Sequence, residues 1–192
     1  LLLGAIIEQV TGKAWHEAIS ERISRPLGLT TIAYGEDVAA SAAMVRGYGI
    51  GDNGPEAAMA IHMSVPHAAG GLVGSVEDLA KWARALHHGR VVTPALYREM
   101  ITRTPLPDGS ESPYGMGLTN ADARGRAGIG HGGNINGFAT DSLYLPAEDM
   151  FIAVFANVEN PAVDPPTLLR RIAALALGDP YPIFTRAALD MA

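Results

Sequence analysis

GIGHGGNINGFATDSLYLPAEDMFIAVFA, residues 128–156, contains two β-rich runs, Phe138 to Leu145 and Met150 to Ala156, joined by Pro146-Ala147-Glu148-Asp149. That junction reads as a tight connection between antiparallel strands. The second run is apolar at every position, so helices are expected on both faces of the sheet that contains it. Ahead of it, His131 precedes Gly132 and Gly133 on a strand edge, where side-chain-free positions let a ligand lie against the backbone.

The flanks supply the helices. Asp164-Pro165 opens one that presents Leu168, Leu169, Ile172, Ala173 and Leu175 to the core and ends at Gly178-Asp179-Pro180. Upstream, Thr93-Pro94 pairs a capping hydroxyl with proline at the first helical position, with Leu96 and Met100 as the apolar face. Ser75 is an N-cap, with Glu77 and Asp78 in the first turn and a buried stripe of Leu79, Ala80, Ala83 and Leu86. Two helices lead the chain: Leu2 to Val10 capped by Gly12, then Trp15, Ala18, Ile19 and Ile23 on one face, stopping at Pro26. Between them and Ser75, residues from about 31 to 66 show no period and are expected to form a long irregular excursion. Helices first, then antiparallel strands closed by a helix, make an α+β fold.

Composition narrows the function. A chain of 192 residues, 48% hydrophobic and 18% charged, is globular, and a net charge of −6 with twelve arginines and two lysines scattered argues against nucleic acid. No apolar run approaches the roughly 20 residues of a membrane helix. With no cysteine there are no disulfides or thiolate nucleophiles. His62 and His67 fit no zinc spacing, and Asp52-Asn53-Gly54 lacks the acidic ladder of a calcium loop, so neither metal nor cofactor is expected. His87 and His88 are expected to meet the carbonyl end of their helix dipole, and His16 to face solvent.

Several segments together resemble one family. Leu1 to Gly12, Arg25-Pro26-Leu27-Gly28-Leu29, Ala69-Gly70-Gly71-Leu72 leading into Ser75 to Ala80, Tyr114-Gly115-Met116-Gly117-Leu118, and His131-Gly132-Gly133 with Gly137-Phe138 are similar to motifs of the class C β-lactamase, D-alanyl-D-alanine peptidase and esterase family. They occur in that family's order over nearly the whole chain. Read singly, each is a helix cap or a glycine turn.

The resemblance implies a β-lactamase/transpeptidase-like fold, of which residues 1–180 are the C-terminal portion and 181–192 a tail or linker. It also implies a serine hydrolase working through an acyl-enzyme, in which a Ser-x-x-Lys helix and a Tyr-x-Asn loop supply nucleophile and bases. Those two motifs are missing here. The residues three before Lys13 and Lys81 are Val10 and Asp78, and no tyrosine is followed two places on by Asn or Ser. The third motif is His131-Gly132-Gly133, and the resemblance makes the N–H of Asn134 an oxyanion-hole donor. Gly132 stands where many β-lactamases carry a hydroxyl, which tilts the expectation toward an esterase or peptidase. Asn136 is a further substrate-binding candidate, although Asn before Gly also serves turns.

Two readings follow. A chain that opens inside a helix without Met is expected to be an internal piece of a periplasmic or secreted hydrolase, inactive alone, that binds a small-molecule or peptide substrate in the parent enzyme. Alternatively it is a non-catalytic binding module of the same fold. Either way, strands missing from the sheet would leave an edge and an apolar face through which copies self-associate.

Overall fold

The computed structural model describes residues 1–182, so most of the expected tail lies outside the described residues. The chain opens with α1 (Leu2–Thr11), closed by Gly12. Next, α2 (Trp15–Ile19), a π-helical turn (Ser20–Ser24) and α3 (Arg25–Leu27) follow one another without a break. Pro26 therefore does not stop the helix. In the π turn the Arg25 N–H reaches back to Ser20 O, and this wider winding carries the proline ring past the preceding turn to an end at Gly28. His16 is not on a solvent face: its ring stacks on Tyr34 at 4.6 Å.

The stretch expected to be irregular contains β1 (Ala33–Tyr34), α4 (Val38–Ala43) and a hairpin of β2 (Tyr48–Gly51) and β3 (Gly54–Ala57) turned at Asp52-Asn53. Such strands are too short to show a period, and β1 pairs with the distant β4 (Leu72–Val73). The hairpin is tied to the main sheet, with Tyr48 N donating to Asn157 O and Asn157 Nδ2 to Arg46 O.

Helix α5 (Val76–His87) starts as expected, Ser75 Oγ accepting from Asp78 N at 3.3 Å. Asp78 does more than face the dipole. Only 1% exposed, its carboxylate accepts from Lys81 Nζ and from Thr31 N and Oγ1, each at 2.7 Å. The Lys81 bond first and the Thr31 bonds second hold its pKa down at about 2 and fasten α5 to the end of the helical lead-in. In α6 (Pro94–Ile101) Thr93 caps Leu96 N, yet Leu96 is 49% exposed, and Tyr97, Met100 and Ile101 carry the packing instead.

A small pair, β5 (Thr104–Pro105) and β6 (Glu111–Ser112), precedes the main sheet of β7 (Thr119–Ala123), β8 (Arg126–Ile135), β9 (Phe138–Leu145) and β10 (Met150–Ala156). Its order is β10-β9-β8-β7, all antiparallel. Helix α7 (Pro165–Ala176) closes the fold, with Asp164 Oδ1 capping Thr167 N at 2.6 Å.

Alternation along β9 sends Leu143 and Leu145 to one face and Tyr144 to the other. Leu169 and Ala173 of α7 pack on the first face with Ile152 and Ala123, while Leu86 of α5 packs on the second with Leu118 and Ile129. Helices thus cover both faces, as the doubly apolar strand required. Helix α7 has two apolar stripes, however, and the core against the sheet takes Leu169 and Ala173. Leu168, Ile172 and Leu175, expected in the core, are 40%, 39% and 67% exposed.

The end of α5 also departs from expectation. His87 lies flat on Tyr144 at 4.0 Å with Nδ1 2.6 Å from Tyr97 Oη, and burial, with the charge of His88 second, pushes its pKa down to about 4. It is neutral near pH 7 and supplies no cation to the dipole. His88 instead meets Asp149 Oδ1 at 2.7 Å, tying the helix to the β9–β10 turn.

Because each face of the sheet rests on one large leucine, Leu86→Ala and Leu169→Ala should each lower the free energy of urea unfolding by about 2–5 kcal/mol. A loss well under about 1 kcal/mol at either position would show that face to be unpacked. Acid should act through His87. Between its unfolded value of 6.5 and about 4 the unfolded chain takes up a proton that the folded chain refuses, so stability falls across that window and levels below it. Thermal melts of His87→Gln should show a flatter slope there than wild type, and an identical slope would exclude His87 as the source.

Candidate active site

Strand β8 is paired on its two sides over different lengths. With β7 the register runs from Arg126 to Gly130, whereas with β9 it continues to Ile135. From His131 onward, then, one edge of β8 has no strand partner among the described residues. The reason lies upstream of β7, where the chain turns away. Gly115 N donates to Leu118 O across a turn that needs Gly117 at φ 77°, a left-handed conformation that side chains disfavour. Met116 N donates to Met100 O and anchors the turn on α6.

The same turn delivers Tyr114 to His131. Its Oη stands 3.0 Å from His131 Nε2, with the rings edge-on at 5.6 Å. Across the ladder, Ser142 is the partner of His131 and its Oγ donates to the His131 carbonyl at 2.9 Å. Backbone and ring of His131 are therefore both held.

Gly132 and Gly133 do different work. A Cβ on Gly132 would lie 3.0 Å from both Asp141 Oδ1 and Thr140 O, so a side chain there would crowd Asp141 and the β9 backbone on the face away from His131. Gly133 shares the His131 face and would meet only Thr140 Oγ1 at 3.5 Å. The half-buried Asp141 beneath Gly132 accepts from Ser142 N at 2.9 Å; burial pushes its carboxyl up, a rise the Ser142 bond and the charge of Arg170 oppose.

Asn134 is exposed on the same stretch, opposite Ala139. Asn136 is engaged elsewhere: with Gly137 it turns β8 into β9, and its Nδ2 donates to Met59 O at 3.2 Å, pinning the hairpin tip to the segment after β3. His131, Gly132, Gly133 and Asn134 thus come together on one strand stretch, and the Asn136 amide bonds outside it. Tyr114 belongs to a motif noted in the sequence but carried no assigned role, because its contact spans 17 residues and leaves no local pattern.

Among the described residues the other polar clusters form no Ser-His-acid relay and no serine–lysine pair. Ser64 Oγ lies 2.8 Å from His62 Nδ1, but Glu36 approaches the same nitrogen at 3.4 Å, whereas a Ser-His-acid relay uses both ring nitrogens. Ser75 and Thr31 are spent on the cap of α5, and Lys81 on Asp78. Among the described residues no group of three or more His, Asp or Glu could hold a metal ion.

Comparison with known proteins agrees with this architecture. The D-aminopeptidase of Brucella anthropi is 29% identical over 196 residues, covering 98% of this chain and 35% of the relative. The octameric penicillin-binding protein homologue from Pyrococcus abyssi superposes with a TM-score of 0.74 at 28% identity, over 93% of this chain and 41% of that one. D-amino acid amidase from Ochrobactrum anthropi SV3, complexed with D-phenylalanine, shares the fold with a TM-score of 0.78 at 23% identity, over 92% of this chain and 56% of that one. The chain spans about a third of the length of the curated relatives it matches. Residues 1–177 match the beta-lactamase family itself, and with helices on both faces of the sheet and the His131 strand at an open edge, the chain belongs to that family.

Proposed function

We propose that this chain forms the C-terminal share of a serine hydrolase that cleaves amide or ester bonds through an acyl-enzyme. His131, Gly132 and Gly133 form one wall of the site and the Asn134 N–H joins the oxyanion hole. The observation that carries this is the Tyr114–His131 pair, 3.0 Å apart, beside the unpaired edge of β8. An open edge offers backbone N–H and C=O groups to an extended substrate, while the imidazole supplies one directional polar contact. Serine, lysine and tyrosine for the attack come from the remainder of the domain. Amides and peptides of D-amino acids are the favoured substrates, a choice supported by the D-aminopeptidase and D-amino acid amidase among the relatives and by Gly132 in place of a hydroxyl. Such substrates suit a periplasmic or secreted enzyme.

A non-catalytic binding module is the second reading. It is favoured by one observation: among the described residues no serine hydroxyl meets a lysine, or a histidine whose other nitrogen meets an acid. Hydrolysis of D-phenylalanine amide and labelling by a fluorescent penicillin decide between the two. The isolated chain should show background rate and no labelled serine, and adding the complementary N-terminal segment should restore both. In the restored hydrolase, His131→Ala should lower kcat/KM by about tenfold or more, the worth of one hydrogen bond of ~1–1.5 kcal/mol. A label on a serine of this chain would overturn the proposal, and ligand binding without turnover in the restored protein would establish the second reading.

Exposed Leu2, Leu3, Ile6 and Val10 on α1, with Leu168, Ile172 and Leu175 on α7, support self-association of the isolated chain. Sedimentation should find a concentration-dependent dimer or larger species. A single monomeric boundary at high concentration would contradict it.

A further inference from the structure

We infer that Tyr114 is a positioning residue that dictates which ring nitrogen of His131 carries the proton, an inference that rests on the reading of His131 as a site group. A phenol is a stronger hydrogen-bond donor than a neutral imidazole N–H, and an imidazole nitrogen is a stronger acceptor than a phenol oxygen. At 3.0 Å the favoured pairing is therefore Tyr114 O–H donating to His131 Nε2. The bond made by one ring nitrogen sets the state of the other, so the proton of neutral His131 resides on Nδ1. Nδ1 meets no hydrogen-bond partner among the described residues, and its N–H is left as a donor. The class of group it takes is an acceptor on the substrate, a carbonyl or carboxylate oxygen.

The fold holds both partners firmly enough for this. Tyr114 O accepts from Thr104 Oγ1 at 2.7 Å and Tyr114 N donates to Ser112 Oγ at 3.2 Å. The next residue can only be glycine, since a Cβ on Gly115 would lie 2.1 Å from Met100 O. On the other side, Ser142 fixes the His131 backbone. The phenol is thus presented from a clamped turn to a clamped strand, and the short polar contact follows from backbone placement.

Long-range 1H–15N NMR of the 192-residue chain, at a pH where the imidazole is neutral, reads the tautomer directly. Wild type should show His131 protonated on Nδ1, Tyr114→Phe should move the population toward the Nε2–H form, and Ser142→Ala should leave it unchanged. Wild-type His131 protonated on Nε2, or a pattern that Tyr114→Phe leaves alone, would overturn the inference; the wild-type spectrum decides even if the variant folds poorly. In the restored hydrolase Tyr114→Phe should lower kcat/KM about tenfold. If it keeps the wild-type rate while His131→Ala loses it, the positioning role falls and the site reading stands. If His131→Ala also keeps the rate, the site reading falls and takes the positioning role with it.

Discussion

The unequal ladder of β8 governs the rest of the molecule. One strand is held by β7 from Arg126 to Gly130 and by β9 from Ile129 to Ile135, and the part held on the β9 side alone is the stretch that carries His131, Gly132, Gly133 and Asn134. A half-paired strand frays unless something else fixes it. Here both faces of the sheet are loaded, α7 through Leu169 and α5 through Leu86, and the hairpin tip is pinned through Asn136 to Met59 O. The stretch with the open edge is thus supported through both faces of its sheet and at its hairpin tip.

Charge is disposed to the same end. Asp78, nearly fully buried, is ionised and surrounded by donors, so α5 is fastened at its start to Thr31; His87, at its other end, is neutral and stacked on Tyr144. Beyond it, His88 and Asp149 tie the helix to the β9–β10 turn. The helix that supports the His131 face is therefore fixed at both ends by polar contacts and in the middle by packing. Tyr114 adds the last contact, from a turn that exists because β7 has to leave β8.

Much of this was legible in the residues. The two strands Phe138–Leu145 and Met150–Ala156 are bounded to the residue, because a proline-containing connection separates two runs of β-rich side chains. The caps at Ser75, Thr93 and Asp164 were equally plain, since each is one side chain serving one N–H. What could not be read were features that depend on a partner far along the chain. The pairing of β1 with β4, the docking of the β2–β3 hairpin and the burial of Asp78 under Thr31 are of this kind. Pro26 misled because a π turn can carry a proline that an α turn cannot, and α7 because two apolar stripes look alike until a sheet chooses one. In the site, the glycine-flanked His131 marked its strand, while Tyr114 became visible only when the turn at Gly117 brought it across.

Amide hydrogen exchange resolved by residue reads directly whether β8 is open on one edge from His131 onward. Successive N–H groups of an antiparallel strand point to opposite neighbours. Protection should accordingly be continuous over Ile129 and Gly130 and then alternate from His131 to Ile135, slow amides facing β9 and fast ones facing the open edge. Uniformly slow exchange through Ile135 would mean that the edge is covered and offers no backbone groups to a substrate.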